Sequence, residues 1–161
     1  MIENNLVESL SDKITQNIKK TDIYKNSKNI GLYYPIKGEI DLRKLLEDKK
    51  KNFYFPKCLK QELVFAKYDN NLIEGAYSIP EPQGDSINPA ILDVIFVPAL
   101  CCNKKYYRLG WGKGFYDRFF LKNKITAKKV IICSKCFIRE DFTEDNHDFK
   151  CDNIMCEDGL I

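Results

Sequence analysis

Between Tyr107 and Phe120 the chain reads Tyr-Arg-Leu-Gly-Trp-Gly-Lys-Gly-Phe-Tyr-Asp-Arg-Phe-Phe, with three alternating glycines and four charged side chains. Glycine has no Cβ and enters positive φ without steric cost. Gly110, Gly112 and Gly114 therefore allow successive backbone N–H groups to turn inward around an anion. Arg108, Lys113 and Arg118 add positive charge. Phe115, Tyr116, Phe119 and Phe120 recur at helical spacing and predict a helix whose N-terminus faces the same anion. Asp117 stands three residues past the last glycine, where a carboxylate repels phosphate unless a cation lies between them, and Mg²⁺ is the usual one. The spacing is neither G-x-G-x-x-G nor G-x-x-x-x-G-K-[ST]. By themselves the glycines suit a surface turn as well as a phosphate loop; the flanking Arg, Tyr, Asp and Arg favour the loop.

The charge around this stretch points the same way. From residue 104 to residue 129 there are nine Lys or Arg and one acid, Asp117, although the whole chain carries a net charge of only +3. Such a local field suits a small polyanion. A nucleic-acid patch with Tyr106, Tyr107 and Trp111 as stacking platforms is the rival, and the compact glycine loop favours a nucleotide. Of four arginines against 22 lysines, two lie in the loop, where a planar fork on phosphate is hard for lysine to replace.

The run Arg108-Leu-Gly-Trp-Gly-Lys-Gly-Phe-Tyr-Asp-Arg118, preceded by the apolar Leu92 to Leu100, resembles the signature of the 5-formyltetrahydrofolate cyclo-ligase (methenyltetrahydrofolate synthetase) family. Tyr33 to Ile40, Ile79-Pro80-Glu81-Pro82, His147-Asp148 and Asp152-Asn153-Ile154 resemble further family segments in the same order. The likeness covers roughly residues 20 to 161. It implies an enzyme that closes 5-formyltetrahydrofolate to 5,10-methenyltetrahydrofolate with ATP and Mg²⁺, releasing ADP and phosphate. Position by position, it implies that Arg108, Gly110, Trp111, Gly112, Lys113, Gly114, Phe115 and Tyr116 surround ATP, with Arg108, Lys113 and Tyr116 as the catalytic groups. It implies Asp117 and Asp152 as the magnesium ligands, and Glu39, Trp111 and Tyr116 as the folate contacts.

Read without the resemblance, Glu39 also suits the start of the following helix, Asp152 the start of a strand, and Trp111 an exposed aromatic. His147 and Asp148 lie in an acidic run and read as a solvated turn. The family opens with a helix bearing a Lys and, a turn later, an Arg that reach the ATP phosphates. Here no Arg precedes Arg43 and the first Lys is Lys13, so the expectation is a shortened clamp or a substitute among Lys13, Lys19 and Lys20. A folate- or nucleotide-binding module with weak or no turnover is the alternative function, and an unrelated nucleotide-binding domain a third.

The elements that must position these residues follow from periodicity. Residues 4 to 19 predict an amphipathic helix on Leu6, Leu10, Ile14 and Ile18, with Ser9 or Ser11 as local caps. Ile30 to Tyr34 predicts a strand and Leu42, Leu45 and Leu46 a helix up to Lys50. Phe53 to Phe55 predicts a strand stopped by Pro56, Leu63 to Tyr68 another, and Ser78 to Pro89 an ordered loop. Leu92 to Val97 is apolar almost throughout, as a central parallel strand requires, and the glycine loop should follow its carboxyl end. Val130 to Cys133 and Asn153 to Cys156 add two strands. Strands alternating with helices predict a single three-layer α/β/α domain, residues 1 to 161, with a mainly parallel sheet.

At 161 residues, 44% apolar and 30% charged, the composition is globular, and no apolar run reaches the roughly 20 residues of a membrane span. The polar start lacks a secretory pattern, so the expectation is a soluble cytoplasmic protein, monomeric or weakly dimeric, with no nucleic-acid or membrane partner. Its seven cysteines then read as reduced thiols. Cys133, Cys136, Cys151 and Cys156 approach zinc-ribbon spacing, but Cys133 and Cys156 end apolar runs and read as strand residues.

Overall fold

The computed structural model describes residues 3–140 and 142–161. Along the chain, α1 (Asn4–Lys20) and the short α2 (Asp22–Lys25) lead into β1 (Asn29–Gly31). Next come β2 (Asn52–Leu59), β3 (Glu62–Lys67), β4 (Leu72–Glu74), β5 (Pro80–Pro82) and β6 (Val94–Pro98). The strands β7 (Cys101–Asn103) and β8 (Arg108–Leu109) precede α3 (Phe115–Lys122), and β9 (Lys128–Ile132), β10 (Ile138–Arg139), β11 (Asn153–Cys156) and β12 (Gly159–Leu160) complete the chain.

Seven strands form the main sheet in the order β12-β11-β9-β6-β1-β2-β3. Pairing is parallel from β11 through β2, and an antiparallel strand closes each edge. The fold is thus mixed α/β with a mostly parallel sheet. Numbered along the chain, the parallel strands lie in the order second, first, third, fourth, fifth, so the winding reverses between β1 and β6. That reversal opens a crevice at the carboxyl ends of the two strands.

As the sequence predicts, β6 stands in the middle of the sheet, and Val94, Ile95, Phe96 and Val97 are all buried. Val94 and Phe96 face Leu10, Ile14 and Ile18 of α1. Ile95 and Val97 face the other way, towards Phe119 and Phe120 of α3. A strand covered on both sides must be apolar at every position. Gly31 of β1 lets its neighbours close in, since a Cβ there would lie 3.2 to 3.3 Å from Ile95 and Phe65 side-chain atoms.

Several expectations are corrected. Ser9 and Ser11 do not cap α1; both lie within it, and the Ser11 hydroxyl accepts from the Asp41 N–H at 2.9 Å. The expected helix up to Lys50 is only a five-residue 3₁₀ turn, Arg43–Glu47. Leu42 and Leu45 are its buried anchors, and the Asp48 carboxylate, accepting from the Lys50 N–H and the Tyr24 hydroxyl, turns the chain away. β2 runs through Pro56 rather than stopping there. Phe53 O bonds towards β3 and Tyr54 O towards Leu32 beyond β1, so alternation points Pro56 to the side where β1 has already ended and no donor is missed. Part of the expected loop from Ser78 is a strand, β5, paired antiparallel with β4. A small sheet in the order β10-β7-β8, invisible in the sequence, carries Arg108.

Candidate active site

The crevice at the reversal holds a cavity of about 560 Å³. Three walls converge on it. The segment after β1 supplies Tyr33, Tyr34, Ile36 and Glu39; the β4–β5 hairpin supplies Ala76, Tyr77, Ile79 and Glu81; the third wall is the stretch from Arg108 to Asp117. The sequence expectation that the glycine loop follows the carboxyl end of the central strand therefore holds, and the loop's contact with Pro98 fixes it there.

Within the loop, Gly112 (φ 86°) and Gly114 (φ 67°) occupy the left-handed region, which a side chain would strain. Gly110 lies against Arg108: a Cβ there would stand 2.6 Å from Arg108 Nη1 and displace the guanidinium. Gly114 is the N-cap of α3, and the first helical turn, whose N–H groups have no intrahelical partner, borders the cavity.

Arg108 is 7% exposed. Its Nη1 donates to Pro98 O at 3.1 Å, and its guanidinium carbon lies 4.8 Å from the centre of the Tyr116 ring. Its Nε is buried with no hydrogen-bond partner, and it joins no ion pair among the described residues. An unpaired buried guanidinium is costly. The cavity it borders therefore suits an anion. Lys113 is exposed with its Nζ 5.0 Å over the ring of Tyr77, which meets Phe115 edge-on at 5.8 Å. Tyr77 and Ser78 both have positive φ, 59° and 58°. Such strain in bulky residues collects at ligand sites.

Glu39 is half-buried. Its Oε2 accepts from the Ile36 N–H and its Oε1 from the Trp111 indole N–H, each at 3.0 Å. Burial pushes its carboxyl above the ordinary glutamate range, while those two donors and the Arg108 charge pull it back. Asp117 also sits above the ordinary range, chiefly through burial. Arg108, the Phe149 N–H that its Oδ1 accepts at 3.1 Å, and Arg118 oppose the shift, and the Asp148 carboxylate adds to it. Burial holds the Tyr116 hydroxyl far above its usual range.

Of the residues the sequence singled out, Glu39, Arg108, Gly110, Trp111, Gly112, Lys113, Gly114, Phe115, Tyr116 and Asp117 meet in this one cavity. Asp152 does not. It stands at the amino end of β11, where its Oδ2 accepts from the Lys129 N–H at 2.8 Å and lies 3.9 Å from Lys129 Nζ, as a strand-capping acid does. None of Lys13, Lys19 and Lys20 lines the cavity either. Asp148, read from the sequence as part of a solvated turn, does line it, and so does Tyr77. The only sequence signal for Asp148 is the likeness of His147-Asp148 to a family segment; its acidic surroundings read as solvent-facing, and it is brought to the cavity by the long segment before β11.

Among the described residues no group of three or more His, Cys, Asp and Glu side chains is placed to hold a metal. Asp117 beside Asp148 fits the sparser set of one or two carboxylates that Mg²⁺ takes when phosphate oxygens complete its shell. Of the cysteines with zinc-like spacing, Cys133 and Cys151 are buried in one cluster, Cys136 is exposed, and Cys156 Sγ lies 3.6 Å from Gly159 O.

Residues 2–157 match the model of the 5-formyltetrahydrofolate cyclo-ligase family. The chain belongs to that family. A cyclo-ligase of Mycoplasma genitalium is 32% identical over 155 residues, covering 91% of this chain and 84% of its own. The yeast Saccharomyces cerevisiae cyclo-ligase is 25% identical, with 99% and 90% covered. Among solved structures, the 5,10-methenyltetrahydrofolate synthetase of Aquifex aeolicus superimposes with a TM-score of 0.87 at 34% identity, over 99% of this chain and 84% of that one. The synthetase of Mycoplasma pneumoniae gives 0.78 at 25% identity, over 97% and 90%. The cyclo-ligase scaffold is thus shared along nearly the whole chain.

Proposed function

We propose that this chain is a 5-formyltetrahydrofolate cyclo-ligase that uses ATP and Mg²⁺ to form 5,10-methenyltetrahydrofolate, ADP and phosphate. The observation that carries the reading is Arg108, a buried cation with an unused donor beside a glycine loop, at the crevice where the winding of the sheet reverses. An amide-like formyl oxygen is a poor leaving group; ATP supplies the phosphoryl group that makes it a good one, and the folate's own N10 then displaces phosphate. The protein has to position and neutralise charge. Arg108, Lys113 and the backbone of Gly110 to Gly114 suit the phosphates, and Tyr116, pinned under Arg108, orders that guanidinium. Asp117 and Asp148 suit the metal. Glu39 on the opposite wall and Trp111, which reaches it from the loop, suit the folate, with Lys113 over the ring of Tyr77. The cover of α1 on one sheet face and α3 on the other supports a three-layer scaffold beneath them.

Turnover is tested by the appearance of methenyltetrahydrofolate absorbance on adding ATP and Mg²⁺ to protein and 5-formyltetrahydrofolate. Steady product formation is expected, and Arg108→Lys should cut it while weakening ATP more than folate, since an ammonium cannot reproduce the fork. One observation favours a binding module instead: no lysine of α1 reaches the cavity to complete a phosphate clamp. Tight folate binding with no turnover would establish that reading.

A further inference from the structure

Two chain segments far apart in sequence meet across the mouth of the cavity through one side-chain hydrogen bond. Trp111 stands in the middle of the glycine loop, and its indole N–H reaches 72 positions back to the Glu39 carboxylate. The other Glu39 oxygen is held by the Ile36 N–H, so both are committed and the carboxylate direction is set. A hydrogen bond to an ionised oxygen is roughly twice as strong as one between neutral groups. The remaining charged or titratable groups that act on Glu39 are few: Arg108 from β8, with Tyr33 after β1 and Tyr116 of α3 feeling its charge in turn. The Trp111 ring itself is 56% exposed, so it is fastened to the wall by its N–H rather than by burial.

We infer that Trp111 is a positioning residue: its indole N–H aims the Glu39 carboxylate into the cavity, and through it the glycine loop and the folate-facing wall set each other's conformation. The consequence rests on the function proposed above. A nucleotide that orders the glycine loop fixes Trp111, which fixes Glu39, so the folate binds more tightly when nucleotide is present. By linkage the nucleotide binds more tightly, by the same factor, when folate is present.

Two measurements test this. In the first, the dissociation constant of 5-formyltetrahydrofolate is measured by calorimetry with and without a non-hydrolysable Mg·ATP analogue, in the parent, Trp111→Phe, Glu39→Gln and the double variant. The parent should show tightening of about fivefold or more, the range of ordinary coupling between sites. Trp111→Phe, which keeps an aromatic ring but has no N–H, should bring the factor towards one, and the double variant should lose no more than either single one. Equal coupling in parent and Trp111→Phe overturns the inference, as does a parent without coupling. The second measurement needs no ligand: the Glu39 side-chain carboxyl carbon is followed by NMR against pH. Removing a donor to the ionised form should move its midpoint upward in Trp111→Phe, and an unchanged midpoint overturns the inference whatever folate does. Failure of the parent to bind folate, with the midpoint still moving, would instead count against the proposed function and leave Trp111 as the group that positions Glu39.

Discussion

Glu39 shows how a site residue stores a cost that surfaces as pH dependence. Burial raises its carboxyl above the ordinary glutamate range in the folded protein. The folded state therefore holds the proton to higher pH than the unfolded chain, and linkage makes stability fall as pH rises from the unfolded pKa to the folded one. The melting temperature of the parent relative to Glu39→Gln should thus decline across that window and level off above it. A flat difference through that window would show that the two donors and the Arg108 charge offset the effect of burial in full. Asp117 offers a second test by a different route. Asp117→Asn keeps an oxygen for the Phe149 N–H but removes the charge, so on the metal role proposed for Asp117 the gain in ATP affinity on adding Mg²⁺ should fall by at least the roughly tenfold that loss of even an outer-shell partner costs. Titration of ATP with and without Mg²⁺ reads this directly.

At the scale of elements, the packing of α1 separates residues that look equivalent in the sequence. Ile14 is fully buried in the core cluster that also holds residues of β1, β2, β6 and β9. Ile14→Ala should cost about 2 to 5 kcal/mol in chemical denaturation, the usual range for such a truncation. Leu6→Ala, at a 52% exposed position of the same helix, should cost far less. Leu6, Leu10, Ile14 and Ile18 looked alike in the sequence, and only packing separates the first from the rest. Elsewhere legibility tracked how much of an element's cause is local. The run from Val94 to Val97 was readable because burial on both faces forces every side chain to be apolar. The glycine loop was readable because chemistry and backbone both constrain it. Strands β7, β8 and β10 were not, since each has only two or three residues, too few to show a period, and β10 pairs with a strand distant in the chain. Pro56 misled for a related reason: its meaning depends on where β1 ends. Asp152 and Asp148 exchanged expected places because which of two nearby acids reaches the cavity is decided by the path between β10 and β11.

For the whole molecule, the reversal of winding puts walls from the chain's first half and its second half around one cavity. Ligands that bridge them bind the folded state only, and stabilise it by mass action. At about a hundredfold excess over its dissociation constant a ligand adds about 2.7 kcal/mol. Differential scanning should show an upward shift with 5-formyltetrahydrofolate, a further one with Mg·ATP, and neither in a variant with Arg108→Ala and Glu39→Ala together. A shift with folate retained in that variant would place the folate outside this cavity.

The chain has a single tryptophan, and it is the one at the mouth of this cavity. Its ring is largely in water and its N–H rests on a carboxylate. The intrinsic emission of the protein is therefore the emission of the site: a red-shifted signal that should move to shorter wavelength when a ligand covers the indole. Occupancy, its rate and its order of events can be followed on the unlabelled protein, with no other indole contributing background.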